Sequence, residues 1–78
     1  MRILFFAHLK ELAGCAEFDL PADDLDSEQL WARLLERFPA LARVRGQTRL
    51  SRNCELAGST TRFRADDEVA LIPPVSGG

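Results

Sequence analysis

Residues 68–78, EVALIPPVSGG, indicate both the last strand and the reactive group of this 78-residue chain. The run from Glu68 to Ile72 is short, apolar and partly β-branched, which predicts a final strand. Pro73 and Pro74 then stop that strand, because proline has no N–H to donate to a neighbouring strand. The terminal diglycine can enter a channel too narrow for any residue with a Cβ, and it presents an unhindered carboxylate. We therefore interpret the carboxylate of Gly78, rather than a side chain, as the reactive group.

Length and charge limit the possible classes of protein. A chain of this size buries roughly 60–65% of its unfolded surface, so we expect one small domain without a deep active-site cleft. The formal net charge of −2 argues against a nucleic-acid partner, which usually requires a strongly basic surface. Every charged residue from Glu11 to Glu28 is acidic, whereas arginine dominates after Arg33. This pattern predicts two solvated faces of opposite sign, one of which could steer a partner.

The cysteine and histidine content bears on compartment and metal binding. Cys15 and Cys54 could form one disulfide, but we find no signal peptide and no apolar run long enough for a membrane. We therefore expect a cytoplasmic protein with reduced thiols and no membrane partner. The cysteine spacing fits no zinc pattern, and His8 is the only histidine, so we predict no metal site.

The first half of the chain predicts two strands and a helix. Residues 2–6 and 16–20 have strand patterns, and we expect them to form a hairpin with a long connection that turns at Gly14. Asp26 and Gln29 have the spacing of a capping box at the start of a helix. The apolar spacing over residues 30–38 predicts an amphipathic helix, which Pro39 ends.

The second half predicts further strands of the same sheet. Residues 48–53 read as a third strand with Leu50 inward, and residues 62–64 place Phe63 inward between two solvent-directed arginines. Two strands, a helix and then two or three strands predict an α+β fold, with one mixed sheet of four to five strands packed on one main helix. We expect the domain to cover residues 1–72 and an extended, flexible tail to cover residues 73–78.

Three stretches carry a resemblance to a known family: residues 4–14 (LFFA followed by KEL and Gly14), residues 67–70 (DEVA) and residues 73–78 (PPVSGG). With this order of elements, the chain resembles the ubiquitin-like β-grasp sulfur carriers, and most closely the MoaD family, the small subunit of molybdopterin synthase. The last stretch is the most specific, because a bare diglycine is shared by all ubiquitin-like modifiers. Asp66 departs from the glycine usual there, a mild change because aspartate tolerates a left-handed turn. Arg52 replaces a small apolar residue, which puts the outer face of the third strand in doubt.

The resemblance implies a function for Gly78. An E1-like partner would adenylate its carboxylate with ATP and Mg²⁺, and a sulfur-donor protein would convert it to a thiocarboxylate. In complex with a large subunit, that sulfur would pass to cyclic pyranopterin monophosphate and build the dithiolene of molybdopterin. The chain would bind no cofactor and would not be catalytic alone, because the remaining active-site residues would lie on the large subunit.

The tail suits insertion into a partner. Pro73 and Pro74 favour an extended exit, which reduces the entropy lost on binding. Val75 could anchor in the channel, while Ser76 and the two glycines, Gly77 and Gly78, lead to its end. At about 3.3 Å per residue these six residues reach at most roughly 20 Å.

Both faces of the first and last strands are apolar, although one helix can cover only one face. If Ile3, Phe5, Val69 and Leu71 face the helix, four other apolar residues point away from it. These are Leu4, Phe6, Ala70 and Ile72. We predict that they form the docking surface for the large subunit and the activating enzyme, with Lys10 as a charged contact at the rim. The alternative is a loop that folds over this face.

Three other functions stay open at this point. A sulfur carrier for thiamine or cysteine synthesis or for tRNA thiolation would use the same terminal chemistry with another acceptor. A ubiquitin-like modifier would form isopeptide bonds when a lysine attacks adenylated Gly78. A β-grasp interaction domain with an inert terminus would show no ATP-dependent change.

Overall fold

A computed structural model describes residues 1–74 of the chain. Within them, five strands form one mixed sheet in the order β2-β1-β5-β3-β4. The strands are β1 (Arg2–Phe5), β2 (Glu17–Asp19), β3 (Arg49–Arg52), β4 (Glu55–Leu56) and β5 (Glu68–Ile72). The α-helices are α1 (His8–Ala13) and α2 (Ser27–Arg37), and two short 3₁₀ helices cover Pro39–Arg43 and Arg45–Gln47. Strands β1 and β5 are parallel, whereas the other neighbouring pairs are antiparallel. The predicted α+β sheet with one main helix is confirmed.

Helix α2 begins at the predicted capping box. The Gln29 N–H donates to Asp26 Oδ1 at 2.8 Å, and the Asp26 N–H donates to Gln29 Oε1 at 2.9 Å. A cap of this kind stabilises a helix by about 1 kcal/mol, because it satisfies N–H groups that have no partner inside the helix. The helix ends at Arg37, and Pro39 opens the 3₁₀ helix that follows.

The core lies between α2 and the inner face of the sheet. The four strand residues expected to face the helix are almost completely buried, with exposed fractions of 0–2%: Ile3, Phe5, Val69 and Leu71. Leu30 and Leu34 of α2 are fully buried in the same cluster. Phe63 is also fully buried between exposed Arg62 and Arg64, as the sequence predicted.

Helix α1, strand β4 and the two 3₁₀ helices were not predicted. The connection between β1 and β2 contains α1, which ends at Gly14 with φ 79°, where the Gly14 N–H donates to the Lys10 carbonyl at 2.9 Å. Strand β4 pairs with β3 around a turn at Asn53 and Cys54, whose φ angles are 50° and 73°. The antiparallel pairing of β1 with β2 is present, but the connection is helical.

Asp66 and Arg52, the two residues that depart from the family pattern, are both accommodated by the structure. Asp66 does not adopt a positive φ, so its backbone makes no use of the conformation that glycine favours. Arg52 lies opposite buried Val69, and residues opposite one another in a sheet share a face, so it follows the inner-face register. Its guanidinium donates to the Arg62 carbonyl at 2.8 Å. The outer face of β3 is therefore unaffected by this substitution.

The remaining observations concern thiols, membranes and metals. Cys15 is half-buried, Cys54 is exposed, and both are free thiols. None of the helices within residues 1–74 has the length and apolar character needed to cross a membrane. The described residues also contain no group of three or more His, Cys, Asp or Glu side chains that could hold a metal ion.

Candidate functional site: the chain exit and the outer face of the sheet

The parallel pair at the centre of the sheet determines where the chain leaves the domain. Strands β1 and β5 run side by side from Arg2 opposite Glu68 to Phe5 opposite Leu71, so their carboxyl ends lie at the same edge. Beyond that edge β1 leads into α1, and β5 leads into Pro73 and Pro74. Pro73 is half-buried and Pro74 is exposed. The other predicted tail residues, 75–78, lie outside the described residues.

An uncharged row crosses the outer face of four strands. Leu4 lies opposite Ala70, Ala70 lies opposite Ser51, and Ser51 lies opposite Leu56. Because opposing residues share a face and alternate residues point in opposite directions, all four lie on the side of the sheet away from α2. Leu4 and Ala70 are half-buried, Ser51 is buried, and the Leu56 residue at the edge is 58% exposed.

Phe6 and Ile72 extend this row toward the chain exit. Phe6 directly follows β1 and is 48% exposed, and Ile72 is half-buried at the end of β5. We call Leu4, Phe6, Leu56, Ala70 and Ile72 the outer apolar surface. Phe6 and Leu56 are its most exposed members, so among residues 1–74 no loop covers them. The structure thus brings the four predicted apolar docking residues together, and it adds Leu56.

Sequence analysis missed Leu56 because it did not predict β4. Leu56 is an isolated apolar residue, so the sequence around it shows no alternation of apolar and polar residues from which its face of the sheet could be assigned. The available signal was Asn53, a residue that tolerates the left-handed backbone of a two-residue hairpin turn. Such a turn would have paired the residues after Cys54 with β3 and placed Leu56 opposite Ser51.

Charged side chains border the outer apolar surface. At the end away from the exit, the Arg2 guanidinium contacts Glu17 at 2.9 and 3.1 Å and Glu68 at 3.4 Å. The hydrogen bond and the positive charge of Arg2 lower the pKa of the Glu17 carboxyl below its usual value. At the other end, exposed Arg49 lies opposite Ile72. Lys10 is exposed on α1, four residues after Phe6. The border therefore has a mutually neutralised end at Arg2, and it has one cationic side chain, Arg49, beside Ile72 near the exit.

The described residues contain no pocket of their own. They provide a packed core, an accessible apolar surface, and a final strand that passes through that surface before it leaves the domain.

A mixed sheet with a parallel central pair, one main helix packed across it and a final central strand that leads outward defines the ubiquitin-like β-grasp class. The chain belongs to the ThiS family, whose model matches residues 3–78, and within it to the MoaD-like molybdopterin synthase sulfur carriers that the sequence resembles. The molybdopterin synthase sulfur carrier subunit of Caenorhabditis briggsae is 35% identical, with 100% of this chain and 96% of that protein aligned.

Solved structures agree with the β-grasp class. SAMP1 from Haloferax volcanii, a small archaeal modifier protein, superposes with a TM-score of 0.84 and 34% identity, covering 100% of this chain and 98% of that one. A chain in the complex of subunits 1 and 2 of molybdopterin-converting factor from Helicobacter pylori superposes with a TM-score of 0.71 and 29% identity. That match covers 99% of this chain and 96% of the other.

Proposed function

We propose that the chain is the sulfur-carrier subunit of a molybdopterin synthase. The observation that carries this proposal is full-length similarity to curated sulfur carrier subunits, together with the PPVSGG ending of residues 73–78. The outer apolar surface supports it, because β5 forms part of that surface and continues directly into the tail. The chain donates sulfur but has no catalytic activity alone. The cytoplasmic location inferred from the sequence stays a prediction.

The chemistry begins at Gly78. C-terminal carboxyl groups in general have a pKa of about 3.5, so the group is an unreactive carboxylate at pH 7. An E1-like enzyme transfers AMP from ATP to a carboxylate oxygen with the help of Mg²⁺, and pyrophosphate leaves. A persulfide on a sulfur-donor protein then attacks the acyl carbon and forms a C–S bond. The C–O bond to AMP breaks, and AMP leaves with the electron pair. Reductive cleavage of the resulting acyl disulfide by a thiol leaves the thiocarboxylate. Its ionised sulfur is nucleophilic, as thiolates are.

The acceptor is cyclic pyranopterin monophosphate bound by a large subunit. A dithiolene requires two sulfurs, so two carriers are consumed for each molybdopterin. The H. pylori structure is a complex of subunits 1 and 2, which supports a large-subunit partner for this chain. We propose that Leu4, Phe6, Leu56, Ala70 and Ile72 contact both that subunit and the activating enzyme, with Lys10 at the rim. The tail from Pro73 through Pro74, Val75, Ser76 and Gly77 then delivers Gly78.

Deleting Gly78 tests this function. The deletion should abolish the mass change from carboxylate to thiocarboxylate and should abolish dithiolene formation with the large subunit. Circular dichroism should be unchanged, because no core residue is altered. Replacing Ser59, an exposed turn residue distant in sequence from the tail, with alanine is the control and should leave sulfur transfer intact. Dithiolene formation by the deletion variant would exclude Gly78 as the sulfur donor.

A second candidate function is a ubiquitin-like protein modifier. Similarity to an archaeal modifier protein, at 34% identity over the whole chain, favours it. In that function an amine attacks the Gly78 adenylate, and an isopeptide bond replaces the acyl phosphate. Incubation with ATP, activating enzyme, sulfur donor and cell extract distinguishes the two. A carrier gains one sulfur in place of one oxygen, whereas a modifier forms conjugates of higher mass. A carrier for thiamine, cysteine or tRNA thiolation would acquire the same sulfur but would fail to convert the pterin.

A further inference from the structure

The chain has a single lysine side chain. Nine of its ten basic residues are arginine, and the tenth is Lys10. An arginine guanidinium stays protonated in proteins and cannot attack an activated acyl group, whereas a lysine amine attacks one when it loses its proton. Lys10 is therefore the only side-chain amine with which an activated Gly78 can form an amide on this protein.

The fold keeps this amine accessible. Lys10 is exposed on α1, and it forms neither a side-chain hydrogen bond nor an ion pair with other residues in the 1–74 range. Helix α1 follows β1 past the same sheet edge from which β5 leads into the tail. The Met1 nitrogen, in contrast, is buried, donates to the Leu20 carbonyl at 2.7 Å and lies 3.8 Å from Asp19. That amine has no free approach for an acyl group, so it does not compete with Lys10.

We propose that Lys10 is an isopeptide acceptor site for the activated C-terminus of a second copy of this chain. The inference rests on the activation of Gly78, which both candidate functions require. The lone pair of Lys10 Nζ attacks the acyl carbon of the Gly78 adenylate on another molecule. A C–N bond forms, the C–O bond to AMP breaks, AMP leaves with the electron pair, and the amine proton passes to solvent. Every chain built by this reaction is linked through Lys10.

Sulfur supply determines when this reaction occurs. A persulfide that reaches the adenylate first converts it to a thiocarboxylate, which removes the activated acyl group. When sulfur donor is absent, the adenylate persists, and Lys10 is the amine that it meets on other copies. The arginine-rich surface thus leaves one defined position for self-conjugation.

The test uses the full-length chain, the E1-like enzyme of the same organism, Mg²⁺ and ATP, with the sulfur donor left out. Pyrophosphate release reports activation, and intact mass after thiol reduction reports any stable amide. We expect a species with the mass of two chains less one water. Arg64 is the last basic residue of the chain, so trypsin should cleave the donor after Arg64 and leave residues 65–78 attached to Lys10, and cleavage of the acceptor at Lys10 should be lost.

Two variants separate donor from acceptor. Lys10→Arg lacks the acceptor and deletion of Gly78 lacks the donor, so each alone should give no two-chain species. Lys10→Arg keeps the positive charge at the rim of the proposed docking surface, and its pyrophosphate release, measured alone, reports whether it is still activated. A mixture of the two variants should then restore the two-chain species, because one supplies Gly78 and the other supplies Lys10. Pyrophosphate release without a two-chain species would overturn the Lys10 inference while leaving the carrier function standing. Attachment at any residue other than Lys10 would also overturn it. Absence of pyrophosphate release would overturn both.

Discussion

Truncation of Phe6 to alanine is the most direct test of the outer apolar surface as a docking site. Phe6 follows β1 beside the chain exit, and 48% of its surface is exposed in the isolated chain. If a partner covers this side chain, most of the exposed fraction is removed from water on binding. Phe6→Ala removes nearly all of that contribution without adding charge.

The expected loss of affinity follows from area. An aromatic side chain buries about 200 Å² when fully covered, so the exposed 48% corresponds to about 100 Å². At about 25 cal/mol per Å² this area contributes roughly 2.5 kcal/mol, which is a weakening of about 60-fold in Kd. The half that contacts the domain itself contributes a similar amount to folding. A small domain with about 5 kcal/mol or more of stability therefore stays folded in the variant.

Calorimetric titration against the large subunit measures the effect, and urea unfolding of each variant measures the cost to stability. Leu35→Ala is the matched control, because Leu35 is half-buried on α2, against the core on the opposite side of the sheet. It should lower the free energy of unfolding comparably and leave Kd unchanged. Equal affinity of Phe6→Ala and the native chain would refute the docking assignment. Equal weakening in Leu35→Ala would show that affinity follows stability rather than this surface.

Two further predictions concern the edge of this surface and the turn that precedes β5. Leu56→Asp should weaken large-subunit binding with little effect on unfolding, since Leu56 is 58% exposed, and unchanged affinity would restrict the docking site to β1 and β5. Burial of the Asp67 carboxyl raises its pKa. Hydrogen bonds from the Arg64 N–H at 2.8 Å and the Asn53 amide at 2.9 Å together have a larger, opposite effect, so the carboxyl pKa lies below its usual value. A lowered pKa in the folded state gives stability above about pH 4 that is lost as the pH falls through the folded-state pKa. Urea unfolding between pH 6 and roughly 2 should therefore show a smaller acid-induced loss in Asp67→Asn, and identical pH profiles would contradict this role.

The sequence predicted best the elements whose ends carry their own chemical signals. Strand β5 has the predicted bounds, residues 68–72, because the two prolines that follow it cannot continue a strand. Helix α2 begins one residue after Asp26, because the capping box depends only on residues three apart. The inward positions of Ile3 and Val69 followed from alternation along strands that are both flanked by clear boundaries.

The elements missed by the sequence are short and depend on tertiary contacts. Helix α1 has six residues, and its N-cap is Ala7 at φ 51° with no side-chain cap, so no start signal exists. Leu9 and Leu12 had helical spacing, but two turns are too few for a stable isolated helix. Strand β4 has only two residues, and its conformation depends on pairing with β3. Leu56 joins the outer apolar surface only through that register.

If the outer apolar surface is the docking site, as we propose, its position accounts for how one small domain serves partners in succession. The Arg2 cluster at its far end satisfies its charges internally, which limits its attraction to any one partner. Affinity must then arise mainly from a few partly exposed apolar side chains. The apolar area that they can bury against a partner is small enough to permit both binding and release. Because Ala70 and Ile72 belong to this surface and to the strand that leads into the tail, binding there also fixes where the tail begins. In the function we propose, docking and delivery of the terminus are therefore coupled by a single strand.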